Sequence, residues 1–305
     1  MHKNAYPEAN CIMIKLIVEH ITIAQEGITL KITSITDTVT LNNGITMPRL
    51  GFGVFKVQDG QEVINSVKSA IEVGYRAIDT AAAYHNEEGV GQAIRESGVP
   101  REELFITTKV WNSRQGYETT LEAFEESRRK LGLEYLDLYL VHWPVKGKYK
   151  DTWRALEKLY NDGLVRAIGV SNFQTHHLDD LFTVNTIVPV VNQIEYHPLL
   201  TQEKVKSYCE AKNIYVTAWS PLMQGHLDLP LLSELSNKYG KSPAQIIIRW
   251  DLQKGVLTIP KSVKPERIRE NANVYDFELS VDDVAALDAL NQNHRFGSDP
   301  DTFTF

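Results

Sequence analysis

From residue 38 onward, eight short apolar runs alternate with amphipathic stretches of helical length, and this alternation predicts an α/β protein folded as a (β/α)8 TIM barrel. Two further observations favour the closed form. A chain of 305 residues has room for eight βα units in a single domain. Closure also removes both exposed sheet edges, which the competing doubly wound sheet would keep. The strands are read at residues 50–53, 76–79, 105–109, 136–142, 165–170, 190–194, 215–219 and 256–259. Helices fill the gaps, for example at 61–73, 117–131, 151–161 and 202–212. Two extra helices are expected at 230–239 and 281–290, the second with Ser280 as its N-cap. Before the first strand, residues 38–41 and 45–47 flank Asn42-Asn43-Gly44, a hairpin signal, and that hairpin would plug the bottom of the barrel. The barrel domain is thus read as 36–305, with 1–35 as an N-terminal extension of unassigned role and 291–305 as an irregular tail that folds over the mouth.

Composition narrows the partners. A net charge of -7 without a long run of Lys or Arg argues against a nucleic-acid surface and favours a small-molecule partner. Cys11 and Cys209 are far apart and lack metal-ligand spacing, so no disulfide framework and no metal are expected, and a reducing, cytoplasmic setting is. The most apolar N-terminal stretch, residues 11–23, is broken by Lys15, Glu19 and His20 and has no small-residue cleavage pattern. It fits neither a secretory signal nor a membrane span.

Four polar residues lie at or just past the ends of three consecutive strands: Asp79 and Tyr84, Lys109, and His142. A barrel carries its active site at the carboxyl ends of its strands, so these positions are candidates for chemistry. A free tyrosine titrates near about 10, but a neighbouring ammonium stabilises its phenolate, and Lys109 is placed to supply one. Asp79 would hold that lysine charged and oriented, and His142 would donate a hydrogen bond to a substrate carbonyl. Taken singly, a strand-end Asp is more often a turn former, a lone Tyr more often packs, and His142 before Trp143-Pro144 reads equally well as structural. Lys109 is harder to dismiss, because burying its charge without a partner is costly. Together the four describe an acid that protonates a carbonyl oxygen, which is half of a reduction.

The other half requires a hydride donor. No Gly-x-Gly-x-x-Gly follows a strand: Gly51-Phe52-Gly53 continues as Val54-Phe55-Lys56, and Gly89-Val90-Gly91 lies in a helical stretch. A Rossmann site is therefore not expected. Late in the chain, Ile259-Pro260-Lys261-Ser262 leads into Arg267-Ile268-Arg269-Glu270-Asn271, which sets cations and a hydroxyl near a helix N-terminus at the usual barrel phosphate site. That suits an anionic cofactor; the plainer alternative is a solvated Lys/Arg face.

These stretches resemble the aldo-keto reductase superfamily over about residues 39–305. The likeness rests on Gly74-Tyr75-Arg76-Ala77-Ile78-Asp79-Thr80-Ala81 running to Tyr84 and Asn86-Glu87, on Arg166-Ala167-Ile168-Gly169-Val170-Ser171-Asn172-Phe173, and on Ile259-Pro260-Lys261-Ser262 with Arg267, Glu270 and Asn271. The resemblance implies a (β/α)8 barrel that binds extended NADPH without a Rossmann domain. It implies a catalytic tetrad of Asp79, Tyr84, Lys109 and His142, with Tyr84 as general acid. Ser171, Asn172 and Gln193 would bind the nicotinamide carboxamide, Trp219 would stack on the ring, and Ser220, Leu222 and Gln224 would follow the pyrophosphate. Lys261, Ser262, Val263 and Arg267 would grip the 2'-phosphate, with Glu270 and Asn271 near the adenine. NADPH rather than NADH follows, since a 2'-phosphate needs cations. Phe55, Trp111 and His142 would line the substrate pocket. The short loop after His142-Trp143-Pro144 resembles the compact microbial branch of diketogluconate, glyoxal and methylglyoxal reductases, and implies an open site, broad specificity and a monomer.

The expected function is therefore NADPH-dependent reduction of small aldehydes and ketones. Two other readings stay open on the residues alone. Lys109 would serve equally as the Schiff-base lysine of a barrel aldolase, against which Lys261 and Arg267 argue. Alternatively, the barrel binds NADPH and senses redox state without turnover, against which an intact tetrad argues.

Overall fold

Every barrel strand alternates between two apolar environments, and that period of two decides where the polar side chains end up. The computed structural model describes residues 32–303. Most of the proposed 1–35 extension therefore lies outside the described residues, while Ile32–Phe305 forms one compact unit.

The chain enters as a hairpin of β1 (Thr38–Thr40) and β2 (Thr46–Pro48), with Val39 opposite Met47. Gly44 closes the turn at φ 85, a left-handed conformation that suits glycine. Val39, Leu41 and Met47 pack in one cluster with Ala77, Phe105, Leu138, Leu140, Ala167, Val191 and Leu257 from the barrel strands. Asn42 Nδ2 donates to the carbonyls of Pro189 and Asn213, and Asn43 Nδ2 to that of Arg166, all at the starts of later strands. The hairpin is the expected plug.

Eight parallel strands follow: β3 (Gly51–Gly53), β4 (Ala77–Asp79), β5 (Phe105–Val110), β6 (Leu136–Val141), β7 (Val165–Ser171), β8 (Val191–Glu195), β9 (Tyr215–Trp219) and β10 (Leu257–Thr258). Neighbours in sequence are neighbours in the sheet. The two ends meet through a parallel bridge between Leu50 and Thr258, where Thr258 N donates to Arg49 O and Gly53 N to Pro260 O. The barrel is thus closed, not doubly wound.

Helices cover the outside: α1 (Gln61–Val73), α2 (Glu87–Glu96), α3 (Tyr117–Leu131), α4 (Tyr149–Asn161), α5 (Thr175–Leu181), α6 (Glu203–Ala211), α7 (Pro230–Tyr239), α8 (Pro243–Gln253), α9 (Pro265–Ala272) and α10 (Val281–Asp288). The two extra helices are α7 and α10, and Ser280 Oγ caps the latter by accepting from Asp283 N. Outward strand residues such as Ile78, Ile106, Tyr139, Val141, Ile168 and Val216 join the helices in the larger core. Among the described residues no helix is long and apolar enough to cross a membrane.

Helix contacts are close where side chains are absent. A methyl placed on Gly91 of α2 would lie 2.2 Å from the backbone oxygen of Leu131 at the end of α3. Alanine normally improves a helix interior by about 1 kcal/mol over glycine, but overpacking against rigid backbone costs about 1–3 kcal/mol. Gly91→Ala is therefore expected to lower the urea midpoint at unchanged slope. A raised midpoint would show that α2 can retreat from α3.

Candidate active site

Counting by twos along each strand from the inner apolar layer leads to the mouth. Ala77 leads to Asp79, Phe105 to Lys109, Leu140 to His142, Ala167 to Ser171, and Val191 to Gln193 and Glu195. Apolar inner residues therefore deliver polar ones to the same face, at the carboxyl end that barrels use for chemistry.

Lys109 is 0% exposed and Asp79 5% exposed. The Lys109 ammonium donates to Asp79 Oδ1 at 2.5 Å and to the Thr80 carbonyl at 2.8 Å. Its third neighbour is the Tyr84 hydroxyl at 3.5 Å, the outer limit of a hydrogen bond and a contact of the kind that tightens when substrate binds. Tyr84 reaches this point on a short turn after β4. Asn86 fixes that turn by accepting from Thr80 Oγ1 and donating to the carbonyls of Val54 and Val57. The His142 ring lies edge-on to Tyr84 at 5.8 Å and to Trp111 at 5.1 Å, and Phe55 lies 5.0 Å from Tyr84. All four tetrad positions and the three substrate-pocket positions are thus brought together, with Phe55 the exposed member.

Burial and charge oppose each other here. Burial pushes the Tyr84 phenol upward while Lys109 pulls it down, and the net direction is upward. The lowering expected from Lys109 is present but outweighed by the burial of the phenol. For Lys109, burial favours the neutral amine, but Asp79 and Tyr84 more than offset it and hold the ammonium charged. Burial, then the nearby Lys109 charge, drives His142 well below the ordinary histidine range, so its ring is neutral. Its Nδ1 is buried without a partner among the described residues. The result is a loaded phenol acid, a fixed cation beside it, and a neutral imidazole facing the same space.

The positions attributed to the nicotinamide form a connected set. Ser171 Oγ donates to Gln193 O, and Gln193 Nε2 donates to Asp79 Oδ2 at 2.8 Å, which leaves Gln193 Oε1 as an acceptor. Asn172, at φ 65, donates to His142 O and accepts from Trp219 Nε1 at 2.8 Å. Beyond β9, Ser220, Met223 and Gln224 all have positive φ, a run of backbone strain that non-glycine residues rarely adopt outside functional sites. After β10, Lys261 and Val263 are exposed and Ser262 is buried, and on α9 Arg267 is exposed, Glu270 half-buried and Asn271 buried.

Sequence reasoning did not single out Glu195, although the strand-end rule that finds Asp79 applies equally to it. Glu195 closes β8 and is fully buried. The tail does reach the mouth, as expected: Phe303 packs on Trp143 at 4.8 Å, and Asp301 sits 3.1 Å from His176. His176, His177 and Asp301 bring three possible metal-ligand atoms within 4.8 Å of one another. However, His177 Nδ1 already accepts from Gln174 N, so its neutral ring carries the proton on Nε2, towards Asp301, and offers no lone pair there.

The profile of the aldo/keto reductase family matches residues 49–292. Glyoxal reductase of Bacillus subtilis (strain 168) is 62% identical over 274 residues, 90% of this chain and 99% of that protein. Methylglyoxal reductase DkgA of Salmonella typhimurium is 50% identical over 270 residues, 87% of this chain and 97% of that protein. Among solved structures, a Bombyx mori aldo-keto reductase in complex with NADP superposes with a TM-score of 0.83 at 39% identity, covering 88% of this chain and 97% of that one.

The neutral state of His142 has a cost in acid. An unfolded histidine takes up a proton near 6.5, whereas the buried ring does not, so protonation favours unfolding as the pH falls. His177, brought down to about 4 by burial and by His176, acts in the same direction. The histidine contribution to unfolding free energy is expected to fall between about pH 7.5 and about pH 5, against the raised carboxyls of Asp251 and Glu87, so that His142→Asn loses less over that range than the wild type. Urea titrations at the two pH values measure this. Equal losses in both proteins would place the acid sensitivity elsewhere.

Proposed function

Because this chain belongs to the aldo/keto reductase family, we propose that Tyr84, Lys109, Asp79 and His142 are the working residues of its NADPH-dependent carbonyl reduction. The reaction converts an aldehyde or ketone to the alcohol, consuming one NADPH and one proton. The observation that carries the assignment is the buried Lys109 ammonium, ion-paired to Asp79 at 2.5 Å and poised 3.5 Å from the Tyr84 hydroxyl.

Residues present fit the cofactor at both ends. Lys261 and Arg267 have no carboxylate partner among the described residues and are free to take a 2'-phosphate at the start of α9. Trp219, held through its N–H by Asn172, offers a fixed aromatic face, and Gln193 Oε1 and Ser171 offer polar atoms to a carboxamide. The bound nicotinamide supplies hydride to the carbonyl carbon. Tyr84, kept protonated by burial, gives its proton to the carbonyl oxygen, and Lys109 stabilises the phenolate left behind. Neutral His142 orients the same oxygen by hydrogen bonding. Trp111 and Phe55 line the space where the substrate sits.

Small 2-oxoaldehydes are the substrates to try first, given the names of similar proteins and the aromatic, uncharged walls of Phe55, Trp111 and His142. The same reading makes residues 36–305 the reductase domain, acting as a cytoplasmic monomer.

The test is loss of NADPH absorbance with methylglyoxal, glyoxal and an aromatic aldehyde, with NADH in parallel. Turnover that prefers NADPH is expected. Tight NADPH binding without turnover of any carbonyl would favour the redox-sensor reading instead. Tyr84→Phe is expected to lower kcat by about 100-fold or more with NADPH affinity nearly unchanged. Arg267→Ala removes a charge-assisted contact of about 1.5–3 kcal/mol and is expected to weaken NADPH by about tenfold or more while sparing NADH. Equal losses for both nucleotides would remove Arg267 from the 2'-phosphate site.

A further inference from the structure

We propose that Glu195 is a positioning residue that holds residues 295–297 against the indole of Trp219 and so fixes the face on which the nicotinamide stacks. The proposal deepens the preceding reading and rests on its assignment of Trp219.

Glu195 closes β8 directly opposite Trp219 of β9, and both point into the barrel mouth. Its carboxylate is 0% exposed yet makes no contact with the tetrad. Instead Oε1 accepts from Phe296 N at 2.7 Å and from Gly297 N at 3.1 Å, and Oε2 lies 3.3 Å from Gly297 N. His197 Nε2 at 3.3 Å and Arg295 Nη1 at 3.9 Å complete its surroundings. Two consecutive backbone N–H groups aimed at one carboxylate make a charge-assisted clamp on the tail. The pairing of β8 with β9 does not need it, since the backbone ladder already joins those strands.

What the clamp presses on is the indole. A methyl placed on Gly297 would lie 2.3 Å from Cη2 of Trp219 and 3.3 Å from Glu195 Oε2. Gly297 is therefore in van der Waals contact with the outer edge of the ring, and only glycine leaves room. The opposite edge is tied by the bond from Trp219 Nε1 to Asn172 at 2.8 Å. The indole is thus gripped at both ends, by Asn172 and by the clamped tail. The same segment also meets the strained loop after β9: Phe296 O accepts from Gln224 Nε2 at 3.2 Å, and the Phe296 ring stacks on His226 at 4.8 Å. The carboxylate oxygens of Glu195 meet the tail and His197, and Glu195 acts through the tail.

The test compares NADPH and NADH dissociation constants, read by fluorescence titration, for the full-length wild type, Glu195→Ala, Glu195→Gln, Gly297→Ala and the Glu195→Ala/Gly297→Ala double variant. The nicotinamide is common to both nucleotides. Glu195→Ala is therefore expected to weaken NADPH and NADH by the same factor, about tenfold, unlike Arg267→Ala. Glu195→Gln, which keeps an acceptor oxygen, is expected to restore most of the affinity. Gly297→Ala is expected to weaken both nucleotides alike by pushing the ring. In the double variant the freed tail no longer drives the methyl into the indole, so the loss should match that of Glu195→Ala alone and not the product of the two factors. Unchanged affinities in Glu195→Ala, a loss confined to NADPH, or multiplying factors would each overturn the proposal. If Glu195→Ala does not fold, Gly297→Ala decides: an unchanged affinity for both nucleotides overturns it. Wild-type protein that binds neither nucleotide would overturn the parent reading and this one together, whereas wild-type binding with unaffected variants overturns this one alone.

Discussion

A single buried ammonium organises the mouth of this barrel. An unpaired lysine at 0% exposure would cost several kcal/mol, so Lys109 can exist there only because Asp79 and the Thr80 carbonyl meet it. Asp79 in turn accepts from Gln193, which lies across the barrel on β8. One charge therefore ties together β4, β5 and β8, and the phenol of Tyr84 shares its field. The groups that satisfy the charge are also those that the chemistry needs, so the fold and the proposed acid draw on one arrangement.

That arrangement depends on what lies beneath it. Phe105, Leu138, Leu140, Ala167 and the hairpin residues Val39, Leu41 and Met47 fill the plugged end of the barrel, and the buried threonines Thr107 and Thr217 follow further along β5 and β9. Stability is thereby concentrated at the plugged end and chemistry at the other. A packed inner layer also fixes side-chain geometry better than a loop would, which matters for a proton transfer that tolerates little displacement.

Elements with strong local patterns were legible in the sequence. Helices Gln61–Val73, Tyr117–Leu131 and Pro230–Tyr239 fall on the expected boundaries, because apolar spacing and flanking Gly or Pro mark both ends. The proposed tetrad was legible because Asp79, Lys109 and His142 break apolar runs at strand ends. Other properties depend on distant packing and leave no local mark. The upward direction for Tyr84 follows from enclosure by residues far away in sequence, and enclosure outweighs the lysine that sequence reasoning could identify. The contact of Gly297 with Trp219, likewise, is a close approach between segments that only the folded chain brings together.

The proposed cofactor contacts divide along the same line. At the proposed nicotinamide end, Asn172, Trp219 and the tail would act by packing and by partly buried hydrogen bonds, which salt affects less than exposed charges. At the proposed phosphate end, Lys261 in the loop after β10 and Arg267 on α9 are exposed charges, which ions screen. The proposed discrimination between NADPH and NADH resides wholly in the second set, because the first meets only atoms that both nucleotides share. Ring placement and nucleotide choice can then vary independently: a substitution at α9 can change the preferred cofactor without disturbing the geometry in which Tyr84 meets its substrate.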